Sequence, residues 1–161
     1  RIGHAVNEAR YWCDLSPVVL TPTHLAEQAK NIAQIHDGLS CRVFTQKECI
    51  EMGMGGLEAV SRGSNEEARF VVMEYKTDVS GAQTIGLIGK GVTFDSGGLG
   101  IKPAAAMEDM KDDMAGAAAV IATMQALAYL KPKVNVIGAT PITENMTGGS
   151  AFKPGDIIRH Y

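Results

Sequence analysis

Apolar residues recur along this chain at two spacings, and the alternation between the two divides it into helices and strands. In HAVNEARYWC, Ala5, Val6, Ala9 and Trp12 fall at helical spacing, predicting an amphipathic helix that ends ahead of Ser16-Pro17. LTPTHLAEQAKNIAQIHDG supplies Thr21 as N-cap, Pro22 at the first helical position and an apolar stripe of Leu25, Ala29, Ile32 and Ala33, with Asp37-Gly38 as the stop. Cys41 and Val43 alternate with polar neighbours in a short strand, TQKE at 45–48 is a capping box opening a short helix, and Gly53, Gly55 and Gly56 break it. RFVVMEYK (69–76), TIGLIGK (84–90) and VNVIGAT (134–140) are apolar runs of strand length, the last preceded by an alanine-rich helix over 113–130.

Strand, loop, helix, strand in that order predicts an α/β fold with a mixed, largely parallel sheet flanked by helices. The segment between Lys90 and Asp112 is long for a βα connection, which usually takes about 2–6 residues. Long loops at the carboxyl ends of strands are where α/β proteins keep their sites.

Composition narrows the possibilities without choosing among them. The chain has 161 residues, 45% hydrophobic and 20% charged, which fits one globular core. It contains no uninterrupted run of 18 apolar residues, so no membrane partner is expected. A net charge of −3 with no basic stripe argues against nucleic acid. Cys13, Cys41 and Cys49 are odd in number and lack CxxC spacing, so they read as buried thiols in a reducing, cytoplasmic compartment, with no leader to suggest secretion.

The chemistry concentrates in GKGVTFDSGG, residues 89–98, which invites two readings. DSGG is similar to the nucleophile loop of trypsin-like serine proteases, in which Ser96 would attack a carbonyl. That mechanism needs a base histidine, an orienting acid and an oxyanion hole. Three of the four histidines, His4, His24, His36 and His160, belong to amphipathic helices or their ends, and the strand pattern is not all-β. A P-loop would need glycine at 84 and a hydroxyl residue at 91, where Thr84 and Gly91 stand; a dinucleotide fingerprint from Gly89 would need glycine where Phe94 stands.

The other reading takes Lys90, Asp95, Lys102 and Asp113 together, spaced 5, 7 and 11 apart. Glu108, Asp109 and Asp112 are accounted for by the dipole of the following helix. Asp95 is not, since it leaves a buried strand. Two carboxylates brought within about 4 Å would repel by about 4 kcal/mol at an effective dielectric of 20, a cost that a divalent cation removes.

The run GLIGKGVTFDSGGLGIKPAAAMEDMKDDMAGAAAV closely resembles the signature region of the leucine aminopeptidase, or cytosol aminopeptidase, family of two-metal exopeptidases. The resemblance extends upstream through LTPTHLAEQA and MGMGGLEAVSRGS and downstream through ENMTGGSAFKPGDIIR. It implies a zinc-exopeptidase-like (phosphorylase/hydrolase-like) fold and an aminopeptidase that releases leucine and other bulky apolar amino-terminal residues by a two-metal activated water. By position, Lys90 and Asp113 become ligands of one metal, Asp95 a carboxylate shared by both, Lys102 the catalytic lysine on the substrate carbonyl, and Met110 part of the specificity pocket. The ions implied are two divalent cations, zinc or manganese, with magnesium also compatible. Ser96 becomes a turn residue, and its two following glycines let the backbone swing Asp95 toward the metals. Peptide substrates and a hexamer of the complete protein are likewise implied.

Family members carry a further segment, Asn-Thr-Asp-Ala-Glu-Gly-Arg-Leu, beyond the stretch matched by KPGDIIRHY, and a smaller amino-terminal domain. Residues 1–161 are therefore expected to be a partial catalytic domain, inactive alone, with sheet or helix surface left uncovered.

Overall fold

Two threonines start the best-specified helices. The Thr21 side chain accepts from His24 N–H at 3.2 Å and opens α2 (Pro22–Ile35). Thr45 and Glu48 form a reciprocal capping box at the start of α3 (Gln46–Glu51), and those bonds hold the Glu48 carboxyl below its usual range. Helix α1 (Ile2–Asp14) precedes them. A short helix, α4 (Gly55–Ser61), begins on the glycines that the sequence pattern reads as breakers; the chain breaks at Gly53, whose φ is 78°, and resumes helix at once.

The computed structural model describes residues 1–160. Strands β1 (Leu39–Thr45), β2 (Arg69–Tyr75), β3 (Thr84–Ile88), β4 (Gly91–Asp95) and β5 (Asn135–Asn145) form one mixed sheet. β1 pairs antiparallel with β2, and β2 antiparallel with β5 along one flank. The other flank of β5 is shared: β3 runs parallel to its first half and β4 parallel to its second. The parallel half is the half built from the signature region.

The long segment after Lys90 is not a plain loop. It contains β4, the single-turn helix α5 (Ala104–Met107) and a 3₁₀ turn (Met110–Asp112) before α6 (Ala115–Leu130). β4 escapes the sequence pattern because Val92 and Phe94 are its only alternating apolar pair.

Helices α2 and α6 cover one face of the sheet, with α1 against α6. Leu25, Ala29, Val71, Met73, Ile121, Met124 and Ile142 lie in that core. Alanines and Gly138 set its thickness: a Cβ on Gly138 would come within 2.9 Å of the Val120 side chain. Residues 104–130 are apolar and long enough by composition to cross a membrane, yet α6 is the helix on which the core is built, with Ala117, Ala118, Ile121 and Met124 at 0% exposure. Ile85, Ile88 and Ile137 remain exposed around the β3 edge.

The cysteines are free and less uniform than expected. Cys49 is buried, whereas Cys13, in the last turn of α1, and Cys41, on the edge strand β1, are half-buried. Burial raises all three thiols, Cys41 to about 11.

Candidate functional site

The site starts from an interruption in the sheet. Between β3 and β4 the chain leaves the ladder at Gly89-Lys90: Gly89 N–H still reaches the Ala139 carbonyl at 3.1 Å, and the Lys90 carbonyl accepts from Ala117 N–H at 2.8 Å at the start of α6. A Cβ on Gly89 would sit 2.3 Å from the Gly116 carbonyl oxygen, so only glycine allows this helix start to press on the interruption. Lys90 is thereby brought to Asp113, just ahead of α6, and its Nζ donates to Asp113 Oδ1. The second oxygen, Asp113 Oδ2, is buried with no hydrogen-bond partner.

A β-bulge aims the other carboxylate. Gly91 pairs with Ile142 and Val92 with Thr143, but Phe94 pairs with Glu144 and Asp95 with Asn145, so β4 holds one extra residue. Without it Asp95 would face Met146. In the observed register Asp95 Oδ1 accepts from Asn145 Nδ2 at 2.7 Å and Gly97 N–H at 2.8 Å, while Oδ2 accepts from Lys102 Nζ at 2.8 Å. Burial pushes the Asp95 carboxyl up, but the bonds from Lys102, Gly97 and Asn145 together outweigh it and leave the group below its ordinary value.

Residues 96–102 close on themselves. Gly97 and Gly98 adopt φ of 86° and 66°, and Lys102 N–H donates to the Ser96 carbonyl at 2.9 Å, returning the lysine to Asp95. Lys102 Nζ also lies 2.8 Å from the Met110 sulfur. Lys102, Asp95 and Met110 thus form one cluster and Lys90 and Asp113 another, all near the carboxyl ends of β3, β4 and β5. Glu108, Asp109 and Asp112 are exposed and belong to neither.

Ser96 is 4% exposed, and its hydroxyl is engaged in the turn, donating to the Asn145 carbonyl at 2.8 Å and accepting from Gly98 N–H at 3.2 Å. Among the described residues no histidine bonds to it: His4 faces Glu8, His24 faces Gln28, and His36 packs on Tyr129.

The donor set is an amine and two carboxylates. Among the described residues no group of three or more His, Cys, Asp and Glu is placed to hold a metal ion, so the acids here are few for a metal pair. The buried, unpartnered Asp113 Oδ2 nevertheless fits a cation as its missing partner, and nitrogen with carboxylate oxygen suits zinc or manganese. Asn145 is the site residue that sequence spacing does not disclose. It lies 50 residues from Asp95 and meets it only through the bulged register.

A mixed α/β fold with paired lysines and carboxylates at the carboxyl ends of parallel strands defines a domain with an enzyme-like polar site. Residues 7–161 match the model of the cytosol aminopeptidase family, catalytic domain, and the chain belongs to that family. It is 45% identical over 157 residues to a probable cytosol aminopeptidase of Nitrosomonas europaea, covering 98% of this chain and 31% of that protein. With the Geotalea uraniireducens relative of the same name, identity is 50% over 158 residues, covering 98% and 32%. Among solved structures, the bottromycin maturation enzyme BotP in complex with Mn superimposes with a TM-score of 0.92 at 42% identity, covering 99% of this chain and 34% of that one. The chain spans about a third of the length of these relatives.

Proposed function

We propose that residues 1–161 form part of the catalytic domain of a longer, divalent-metal-dependent aminopeptidase that releases leucine and other bulky apolar residues from peptide amino termini. The observation that carries this reading is the pair of lysine–carboxylate clusters, one of them with a buried, unpartnered Asp113 oxygen, in a chain of the cytosol aminopeptidase family. The manganese named for the BotP complex supports a divalent ion.

Lys90, Asp95 and Asp113 would hold the ions, with Asp95 shared between two. Bound there, a pair of divalent cations supplies polarisation of the scissile carbonyl and acidification of a water. Serving as a ligand would cost Lys90 its bond to Asp113. Lys102 would stabilise negative charge developing on the substrate carbonyl, held in reach by the 96–102 turn. Met110, against Lys102 Nζ, lines the pocket for the apolar side chain. The complete protein works as a cytosolic hexamer. Alone, residues 1–161 bind metal weakly and do not turn over, because the described acids are too few for two ions; a non-catalytic scaffold is the second reading, favoured by the same shortage.

Hydrolysis of leucyl amide, measured on this chain and on the longer polypeptide before and after exhaustive chelation, tests the proposal. The longer polypeptide should lose activity on chelation and recover it with manganese or zinc. Activity that survived chelation, and fell instead to a serine-directed acylating reagent and to Ser96→Ala, would restore the serine hydrolase reading.

A further inference from the structure

We propose that Asn145 is a positioning residue for the Asp95 carboxylate, fixing which oxygen faces the cationic side of the site; this rests on the reading of Asp95 as a metal ligand. Asn145 holds the Asp95–Gly98 turn at several points. Its backbone carbonyl accepts from Ser96 N–H at 3.0 Å and Ser96 Oγ at 2.8 Å, and its side-chain Nδ2 donates to Asp95 Oδ1 at 2.7 Å. Its Oδ1 rests against Gly98, where a Cβ would lie 2.9 Å away. The turn is therefore wound around this one residue.

The consequence is an asymmetry between the two carboxylate oxygens. Oδ1 takes two neutral donors, Asn145 Nδ2 and Gly97 N–H, while Oδ2 takes only the Lys102 ammonium. With Oδ1 occupied, rotation about the carboxylate's bond would cost both neutral bonds, so Oδ2 is the oxygen presented to positive charge. The grip has two separable parts. The backbone carbonyl that holds Ser96 survives any substitution at 145, and the side-chain amide acts on Asp95 alone. A substitution at 145 thus removes the orienting bond while leaving the turn's main-chain anchors.

Calorimetric titration of manganese into the whole protein, for the parent, Asn145→Ala, Asn145→Leu and Asp95→Ala, tests this, with melting of the metal-free forms and kcat and KM on leucyl amide followed in parallel. Loss of a residue that orients a ligand costs about 10–100-fold in metal affinity. Asn145→Ala should fall in that range with the metal-free melting temperature little changed and kcat reduced more than KM is raised. Asn145→Leu keeps the approximate size and removes the amide donor without adding a charge, and should show the same loss. Should Asn145→Ala fail to fold, Asn145→Leu decides. Manganese affinity within about twofold of the parent in the folded variants, with Asp95→Ala stripped of metal, overturns the positioning role alone. Unchanged affinity in Asp95→Ala overturns the ligand reading beneath it.

Discussion

Asp95 and Asp113 each hold a lysine, yet their surroundings differ in kind. The Lys90–Asp113 pair is open on the lysine side, with side-chain exposures of 59% and 18%, and it leaves Asp113 Oδ2 buried and unpartnered. The Lys102–Asp95 pair is more enclosed, at 29% and 16%, and both Asp95 oxygens are bonded. One carboxylate is immobilised before anything binds, and the other retains acceptor capacity. On the proposed metal-binding reading, the first would fix a ligand's orientation and the second would offer a free oxygen to an ion. The difference also separates the lysines: each is tied through its backbone, but Lys90 Nζ has one side-chain partner, Asp113, whereas Lys102 Nζ has two, Asp95 and Met110.

The widest separation between the two regions should appear at Asp95 and Lys102. In the longer polypeptide Asp95→Ala should lose bound metal, whereas Lys102→Ala should keep metal content nearly intact and lower kcat by about 10²–10³-fold. Metal analysis beside steady-state kinetics reads this, and equal loss of metal in the two variants would collapse the division of roles.

A smaller effect probes the rigidity of the Asp95 side. Gly98→Ala forces a side chain into a φ of 66° and against Asn145 Oδ1, and should destabilise by about 1–3 kcal/mol in urea unfolding. Gly149→Ala, where an added Cβ meets nothing within 4 Å, should stay within about 0.5 kcal/mol. Similar losses at both positions would show that the 96–98 turn is no tighter than an ordinary loop.

The smallest expected change is in acid. The Asp95 carboxyl is held below its ordinary value of 3.8, so its contribution to metal-free stability is complete above that pH and disappears as pH falls through the lower folded value. Urea melts between pH 5 and 2 should show a decline in the parent that is shallower in Asp95→Asn. Parallel curves would mean that the bonds from Lys102, Gly97 and Asn145 add nothing to the folded state.

The helices were legible because their signals are local. Thr21-Pro22 and the Thr45–Glu48 box carry their own partners within three residues, and the spacing of Lys90, Asp95, Lys102 and Asp113 fell inside one segment. What was not legible depends on distant pairing. β4 is five residues long and becomes a strand because β5 lies beside it, the bulge at Val92–Phe94 shows only when two strands are aligned, and Asn145 reaches Asp95 across 50 residues. The antiparallel half, β1 with β2 and β2 with β5, has the same cause: apolar runs reveal strands, and their direction is set by which neighbours they find. The α4 helix starting on glycines shows the converse, a helix retained where propensity alone argues for none.

β5 joins β2 on one flank and both β3 and β4 on the other, and it follows all of them in the chain. Among the described residues β3 and β4 pair only with β5, so the parallel pairing seen here cannot form on the ribosome until residues 135–145 have emerged. At about 5–20 residues per second, synthesis leaves Ile85 and Ile88 waiting on the order of several seconds for their partner. The nascent chain can close β1 on β2 early, but its parallel half is committed late and through contacts distant in sequence, the regime in which folding is slow and exposed strands need protection from one another.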